Sequence, residues 1–170
     1  MLLSTNFFES LVSLRNFYGG HMSTVFRLAV VEDLPALLVL EQQGFITDRL
    51  SRRSFRWLIH RGHGQLWVLA QDGPLLGYAM LLLRRGSTVA RLYSIAIAEQ
   101  ARGGGLGRQF LAHLETCAVT HGCDVLRLEV RVDNPAALAL YEGNGYRRFA
   151  LRHGYYQDRT DAWRLQKRIS

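Results

Sequence analysis

Only two cysteines and three prolines occur among the 170 residues. Cys117 and Cys123 are too few for the dense disulfide framework of a small secreted domain. Cys117 falls in a helical pattern and Cys123 at the entry to a strand, so both read as reduced thiols of a cytoplasmic protein. His121 is close to Cys117 in the chain, which alone does not make it the partner that a cysteine nucleophile needs. No apolar run approaches the roughly 20 residues of a membrane-spanning helix. The six histidines are scattered, and His60 and His63 lack cysteine or acidic partners at ligand spacing, so no metal site is expected. Acids are scarce as well: 14 Asp and Glu face 21 Lys and Arg, a formal charge of +7. That excess admits an anionic ligand, an acidic partner or nucleic acid. No RNA-binding signature or zinc-finger spacing accompanies it, which disfavours nucleic acid.

What remains is the balance of one globular domain, with 48% hydrophobic and 21% charged residues. Residues 1–21 stand apart. Met1-Leu2-Leu3 opens a short apolar stretch, but no basic segment precedes it and no small-residue cleavage site closes it, which argues against a signal peptide. Met22 follows Gly19-Gly20-His21 and opens the first strand pattern. It reads as the natural start, with 1–21 as an extension and 22–170 as the folded domain. The alternative is an amphipathic helix with Phe7, Phe8, Leu11 and Leu14 on one stripe.

Past that strand, Val31-Glu32-Asp33-Leu34-Pro35 is a helix-start signal, and Leu37, Leu38, Leu40 and Glu41 continue the helix. A second helix is predicted over Ser51–His60, ended by Gly62 and Gly64. Leu66–Ala70 and Leu76–Leu83 read as strands about an Asp72-Gly73 turn, and Ala90–Ala98 as a fourth strand. A helix over Gly105–His121, a strand over Val125–Val130 and a short helix capped by Asn134-Pro135 follow. Closing strands are predicted at Tyr146–Leu151 and Ala162–Ile169. The order predicts an α/β domain around a mixed sheet of six or seven strands, flanked by about four helices.

Between the fourth strand and the third helix lies Arg102-Gly103-Gly104-Gly105-Leu106-Gly107-Arg108. A strand, a glycine turn and a helix make an anion cradle, because unpaired N–H groups and the positive helix end face the ligand together. The Gly-Lys-Ser/Thr of a Walker loop is absent. Spacing leaves a dinucleotide fingerprint open, with Glu129 as its acid. A merely flexible turn is the weaker reading, since four glycines before a well-patterned helix are costly unless something approaches them.

Arg102-x-x-Gly105-x-Gly107 after Ser94-Ile95-Ala96-Ile97 resembles the acetyl-CoA motif of the GNAT acetyltransferase superfamily. Leu128-Glu129-Val130-Arg131-x-x-Asn134-x-Ala136-Ala137-x-x-Leu140-Tyr141-x-x-x-Gly145-Tyr146 is similar to the bacterial ribosomal-protein N-terminal alanine acetyltransferases (RimI-like). Tyr155-Tyr156-x-Asp158-x-x-Asp161-Ala162 resembles the terminal hairpin of protein N-terminal acetyltransferases. The likeness spans about residues 26–168. It implies splayed fourth and fifth strands, with acetyl-CoA as cosubstrate and its pantetheine arm along Ile95, Ala96 and Ile97. Residues Arg102 to Arg108 would hold the pyrophosphate, and Asn134, Ala137 and Tyr141 would line the far side. It further implies Glu129 as general base and Tyr141 as general acid.

Read from the residues alone, Glu129 shares a strand face with Val125 and Arg127, and would be a surface carboxylate paired with Arg127 or Arg131. Tyr141 would be a core aromatic. The resemblance implies that Tyr155 and Tyr156 lie over the acceptor groove, with hairpin packing as their alternative, and that Tyr93 on the fourth strand faces the same groove. Asp158 and Asp161 either attract an ammonium or turn the chain, and His153 is a further candidate base through water. The segment Gln43–Ser51, with its following arginines, departs from the RimI-like pattern, and a basic rim there would favour an acceptor bearing carboxylates. The acceptor expected is a primary amine, foremost a peptide or protein N-terminus. A small-molecule amine and a non-catalytic acetyl-CoA-binding module stay as alternatives, and both a monomer and a homodimer fit. If Met22 is the natural start, a chain begun there retains the full chain's acetylation rate; a large loss would show that residues 1–21 belong to the working protein.

Overall fold

The computed structural model describes residues 23–61, 64–71 and 73–169. The extension 1–21, the start at Met22, the helix stop at Gly62, His63 and Asp72 of the proposed turn lie outside the described residues.

Seven strands form one sheet in the order β1-β2-β3-β4-β5-β7-β6. They are β1 (Thr24–Leu28), β2 (Gly64–Gln71), β3 (Leu75–Leu82), β4 (Val89–Ile97), β5 (Val125–Arg131), β6 (Arg147–Arg152) and β7 (Ala162–Arg168). The helices are α1 (Leu34–Gly44), α2 (Arg52–Arg61), α3 (Leu106–Thr120) and α4 (Pro135–Gly143). Strands β1 to β4 pair antiparallel, β4 and β5 pair parallel, and β7 lies between β5 and β6 as an antiparallel neighbour of both. The single parallel contact follows from the α3 crossover, because parallel neighbours need a long connection. Gly64, expected to close a helix, instead begins β2. A Cβ there would sit 2.5 Å from the Leu81 carbonyl oxygen, so the residue serves close strand approach.

Each face of the sheet carries its own core. Helices α1 and α2 bury Leu34, Leu37, Leu40, Phe55 and Leu58 against Val68, Tyr78 and Met80. On the other face, α3 and α4 bury Phe110, Leu111, Leu114 and Leu138 against Leu81, Leu92, Leu126 and Leu128. Tyr146, read as the start of a strand, is buried in this second core, and its hydroxyl donates to Glu115.

Helix entry is set by local chemistry. The Asn134 carboxamide oxygen accepts from the Ala137 N–H at 3.0 Å and caps α4, with Pro135 in the first turn. Before α1, Asp33 in a short 3-10 turn accepts two bonds from Arg27, at 2.7 and 2.8 Å, and one from the Val30 N–H. Burial pushes the Asp33 pKa up, but the Arg27 and Val30 hydrogen bonds outweigh it and leave the group below its ordinary value. A carboxylate with a lowered folded pKa stabilises the fold above its unfolded pKa of about 4 and loses that contribution as pH falls through the folded value. Asp33→Asn is therefore expected to cost about 2 kcal/mol at pH 7. Urea titrations should show the gap to wild type closing as pH drops below about 4.

Candidate active site

The site begins with a strand that bends away from its neighbour. The β3–β4 register shifts so that Met80 faces Ser94 and Leu81 faces Leu92. Tyr93 is the extra residue of a β-bulge, which kinks the strand and strengthens its twist. On the opposite edge, β4 pairs with β5 only from Val89↔Val125 to Leu92↔Leu128. Beyond those two leucines the strands part. The β4 edge from Tyr93 to Ile97 therefore faces a gap, and unpaired main-chain groups there need a partner.

A cavity of about 650 Å³ opens at the parting. It gathers Tyr93, Ile95, Glu129, Asn134, Ala137, Tyr141, Tyr155 and Tyr156 from the residues singled out in the sequence. Ala96, Ile97 and the turn Arg102 to Arg108 are not among its lining. They lie beyond it, toward the C-terminal end of β4: Arg102 Nε donates to the Ile97 carbonyl at 3.0 Å, and a Cβ on Gly107 would touch Leu140 at 3.6 Å and Ile97 at 4.0 Å. The turn thus sits at the end of β4, against α4.

Its backbone suits an anion. Gly103 and Gly105 take φ of 83° and 78°, where L side chains are strained. Gly105 is the N-cap of α3, no side chain caps that helix, and its first turn holds no acid. A Cβ at Gly103, Gly104 or Gly105 would meet nothing within 4 Å. The first N–H groups of this 15-residue helix therefore have no side-chain cap, and the helix's positive end stands behind them. These residues fit a diphosphate.

The carboxylates of Glu129 and Glu41 and the phenol of Tyr141 line the cavity. Glu129 does point with Arg127, but its partners are neither Arg127 nor Arg131. Its Oε2 accepts from Arg91 Nε at 2.9 Å and its Oε1 from Arg164 Nε at 3.3 Å, and the side chain is only 8% exposed. Arg127 bonds Gln166 instead, and Arg131 is taken by Asp133, Asp158 and Thr160. Cross-strand placement explains the difference: Arg164 sits directly opposite Glu129 on β7. Arg91 also donates to the Tyr155 hydroxyl at 2.7 Å. Tyr141 is buried at the cavity wall, edge-on to Tyr146. Burial and the neighbouring Tyr156 lift its pKa above the ordinary tyrosine value, so its phenol keeps its proton.

Glu41 is the second carboxylate, and the sequence reading saw only a helix position. It is 3% exposed, takes the Tyr78 hydroxyl and the Leu50 N–H as donors, and lines the cavity. Burial raises its pKa, against the lowering by Tyr78, Leu50 and Arg49. Tyr78 in turn contacts Ser94 at 3.0 Å. A signal existed: Leu34, Leu37 and Glu41 recur at helical spacing, so a carboxylate occupies the apolar stripe. Arg91 and Tyr78 carried no comparable mark.

The structure also places the remaining residues. Asp158 and Asp161 hold the β6–β7 turn, one of their two expected roles, and Asp158 lines the cavity as well: Asp158 accepts from Arg131 and the Thr160 N–H, Asp161 from the Gly154 N–H with His153 Nδ1 2.8 Å away. His153 lies outside the cavity lining, and its side chain is 80% exposed. The arginines after residue 48 do not form the cavity rim. Among its lining, Glu41, Asp48, Glu129, Asp133 and Asp158 face Arg131 as the sole Lys or Arg. Gln43–Ser51 does border it, through Gly44 to Asp48 and Leu50, and Asp48 accepts from the Gln157 N–H to bind this loop to the β6–β7 loop. Cys117 does have a histidine neighbour, but it is His113 at 3.4 Å, and burial pushes the thiol up to about 11. Among the described residues no three His, Cys, Asp or Glu cluster to hold a metal, and no helix is long and apolar enough to cross a membrane.

A mixed sheet splayed after its only parallel contact, with a glycine-led helix at one end of the gap and a buried phenol at the other, defines an acyltransferase scaffold. The chain belongs to the acetyltransferase (GNAT) family, whose model matches residues 31–146, and is a GNAT N-acetyltransferase. It is 33% identical over 136 residues to ribosomal protein bS18-alanine N-acetyltransferase of Escherichia coli K12, covering 79% of this chain and 88% of that one. It is 38% identical over 133 residues to N-alpha-acetyltransferase RimI of Mycobacterium tuberculosis H37Rv, covering 75% and 82%. The crystal structure of the ribosomal-protein-S18-alanine N-acetyltransferase from Escherichia coli superposes with a TM-score of 0.76 at 31% identity, covering 86% of this chain and 94% of that one.

Gly104 separates fold from site, because it has open space around it and no positive φ. Gly104→Glu is expected to leave the melting temperature unchanged and to weaken coenzyme A binding by at least about tenfold, through like charge at the anion cradle. Calorimetry on the variant and wild type measures both.

Proposed function

We propose that this protein transfers the acetyl group of acetyl-CoA directly to a primary amine at the N-terminus of a peptide or protein. The observation that carries the reading is the parting of β4 from β5 at Leu92 and Leu128, which opens a cavity lined by Tyr141 and Glu129 beside the β4 edge that leads to the glycine turn. Of the relatives named above, one bears the name of an alanine N-acetyltransferase of ribosomal protein bS18 and another that of an N-alpha-acetyltransferase, and this supports a peptide acceptor over a small amine. A cytoplasmic setting belongs to the same reading.

Acetyl-CoA supplies a thioester whose carbonyl carbon a neutral amine attacks, giving an amide and a thiol. The chain's residues serve that exchange in three ways. Main-chain amides of residues 103–108 hold the diphosphate, and the unpaired β4 edge at Ile95, Ala96 and Ile97 aligns the pantetheine amides. N–H groups on the same edge stabilise negative charge developing on the carbonyl oxygen. Tyr141, kept protonated by burial, hands its proton to the departing sulfur. Glu129 takes the proton lost by the amine; with each oxygen already accepting from an arginine, we assign the transfer to an intervening water. Asn134 and Ala137 wall the trough, and Tyr93, Tyr155 and Tyr156 border the acceptor's path.

Tyr141→Phe is expected to lower kcat by about 100-fold or more with coenzyme A affinity retained, and Glu129→Gln to lower kcat/KM by a similar factor. Stopped-flow thiol release with an alanine-initiated peptide reads both, and undiminished turnover in both variants would remove the assignment. The pH profile is set by sign. The acceptor must lose a proton, so kcat/KM should climb through the α-amino pKa of about 8. The Tyr141 phenol is lifted above its ordinary value, so no descending limb should appear below pH about 10. Comparing short peptides with amino acids and amino sugars separates the peptide reading from the small-amine one; rates confined to small amines would reverse the choice.

A further inference from the structure

Among the described residues, no helix lies over one face of the sheet's C-terminal half. Helices α1 and α2 pack on β2, β3 and β4, while α3 and α4 cover the opposite face. On the open side of β5, β7 and β6 the side chains alternate toward solvent. Arg127 stands beside Gln166, Glu129 beside Arg164, and Val125 beside Arg168. Arg147 joins them from β6, opposite Gln166, and Arg91 from β4, opposite Arg127. Phe149, the bulged residue of β6, lies between the Arg127 and Arg164 guanidiniums, 5.3 and 4.8 Å from its ring centre, and is 39% exposed.

A solvated sheet face ordinarily mixes charges of both signs. This one carries arginines on four strands, and Glu129, its strand carboxylate, is already held between Arg91 and Arg164. Neighbouring strands are about 4.8 Å apart and alternate residues along a strand about 6.7 Å, so the guanidiniums form a close cationic lattice.

We propose that this face docks an acidic polypeptide segment: the part of the acceptor that follows its acetylated end. The inference rests on the peptide-acceptor reading above. Continuity favours a polypeptide, because the face meets the cleft at Glu129, which lines the cavity and touches Arg164. A chain whose terminus lies in the cleft is thereby delivered onto the arginines. Guanidinium pairs with carboxylate in a two-bond fork, which suits aspartate and glutamate side chains. Nucleic acid fits less well, since the Phe149 ring on which a base would stack is already faced by two guanidiniums. A second copy fits less well again, since a two-fold contact sets this face against itself and arginine against arginine.

The test uses labelled peptides with identical first four residues, followed by an acidic, a neutral or a basic segment. It also uses the full chain carrying R127Q, R147Q and R168Q together, which leaves Arg91 and Arg164 on Glu129. Fluorescence anisotropy should show the acidic peptide binding about tenfold more tightly than the neutral one. That margin should shrink as salt is raised and vanish in the triple variant. In acetylation assays the acidic peptide should show a lower KM, with kcat on the neutral peptide unchanged in the variant and its circular dichroism melt intact. Equal affinity for acidic and neutral peptides would overturn the proposal. So would single-stranded RNA binding more tightly than the acidic peptide and lost in the same variant, or a dimer that the variant dissociates. Because anisotropy reads docking without turnover, a chain that acetylates only small amines yet keeps the acidic preference would lose the peptide-acceptor reading and retain the docking face.

Discussion

Everything at this site depends on a hydrogen-bond ladder that stops early. Two parallel strands in register at four residue pairs would normally continue, because each abandoned N–H and C=O costs free energy unless something replaces its partner. Here the bulge at Tyr93 turns β4 aside after Leu92. The vacated edge becomes a strip of oriented donors and acceptors, a ready template for an extended ligand with amides of its own. The same departure brings the end of β4 to the glycine turn and opens the trough in which Tyr141 and Glu129 face one another's neighbourhood. Fold and site share one cause.

The carboxylates around the trough show how position decides chemical character. Glu129 sits on a strand among arginines and is fixed by two of them. Glu41 sits on the apolar stripe of a helix, its charge opposed by burial and its oxygens held by a phenol and an amide. One carboxylate is organised by cations and the other by neutral donors in a drier place. Glu41 also fastens Leu50, at the end of the loop that borders the cavity, to the floor beneath it. Together with the bond from the Gln157 N–H to Asp48, this ties the cavity's two overhanging loops to the scaffold.

Charge is also segregated in a way that the net value of +7 conceals. The cavity lining is acidic on balance, while the open sheet face next to it is arginine-rich. Under the proposed peptide acceptor, its ammonium terminus would meet carboxylates and the segment behind it guanidiniums. Such a divided field favours one orientation of the acceptor over the reverse, because reversing it would set like charges together.

The elements themselves were largely written in the chain. The apolar runs of β2 and β3, the alternation of β5, the Pro35 and Asn134-Pro135 helix starts and the glycines before α3 are local signals, enforced largely by local sterics and hydrogen bonding. The likeness to acetyltransferases lay in the same short-range pattern, since a glycine turn followed by a helix has to be contiguous to work. Other features required the folded molecule. Glu129 takes partners 38 and 35 residues away, Glu41 meets Tyr78 across 37, and the arginine face is assembled from four strands. Such pairings are chosen by sheet order and register, and above all by β7 inserting between β5 and β6. The chain by itself determined most of the segments that are helix or strand and the glycine turn that precedes α3. Only the tertiary structure decided which charges meet, because ion pairing depends on distance through space, and the sequence records only distance along the chain.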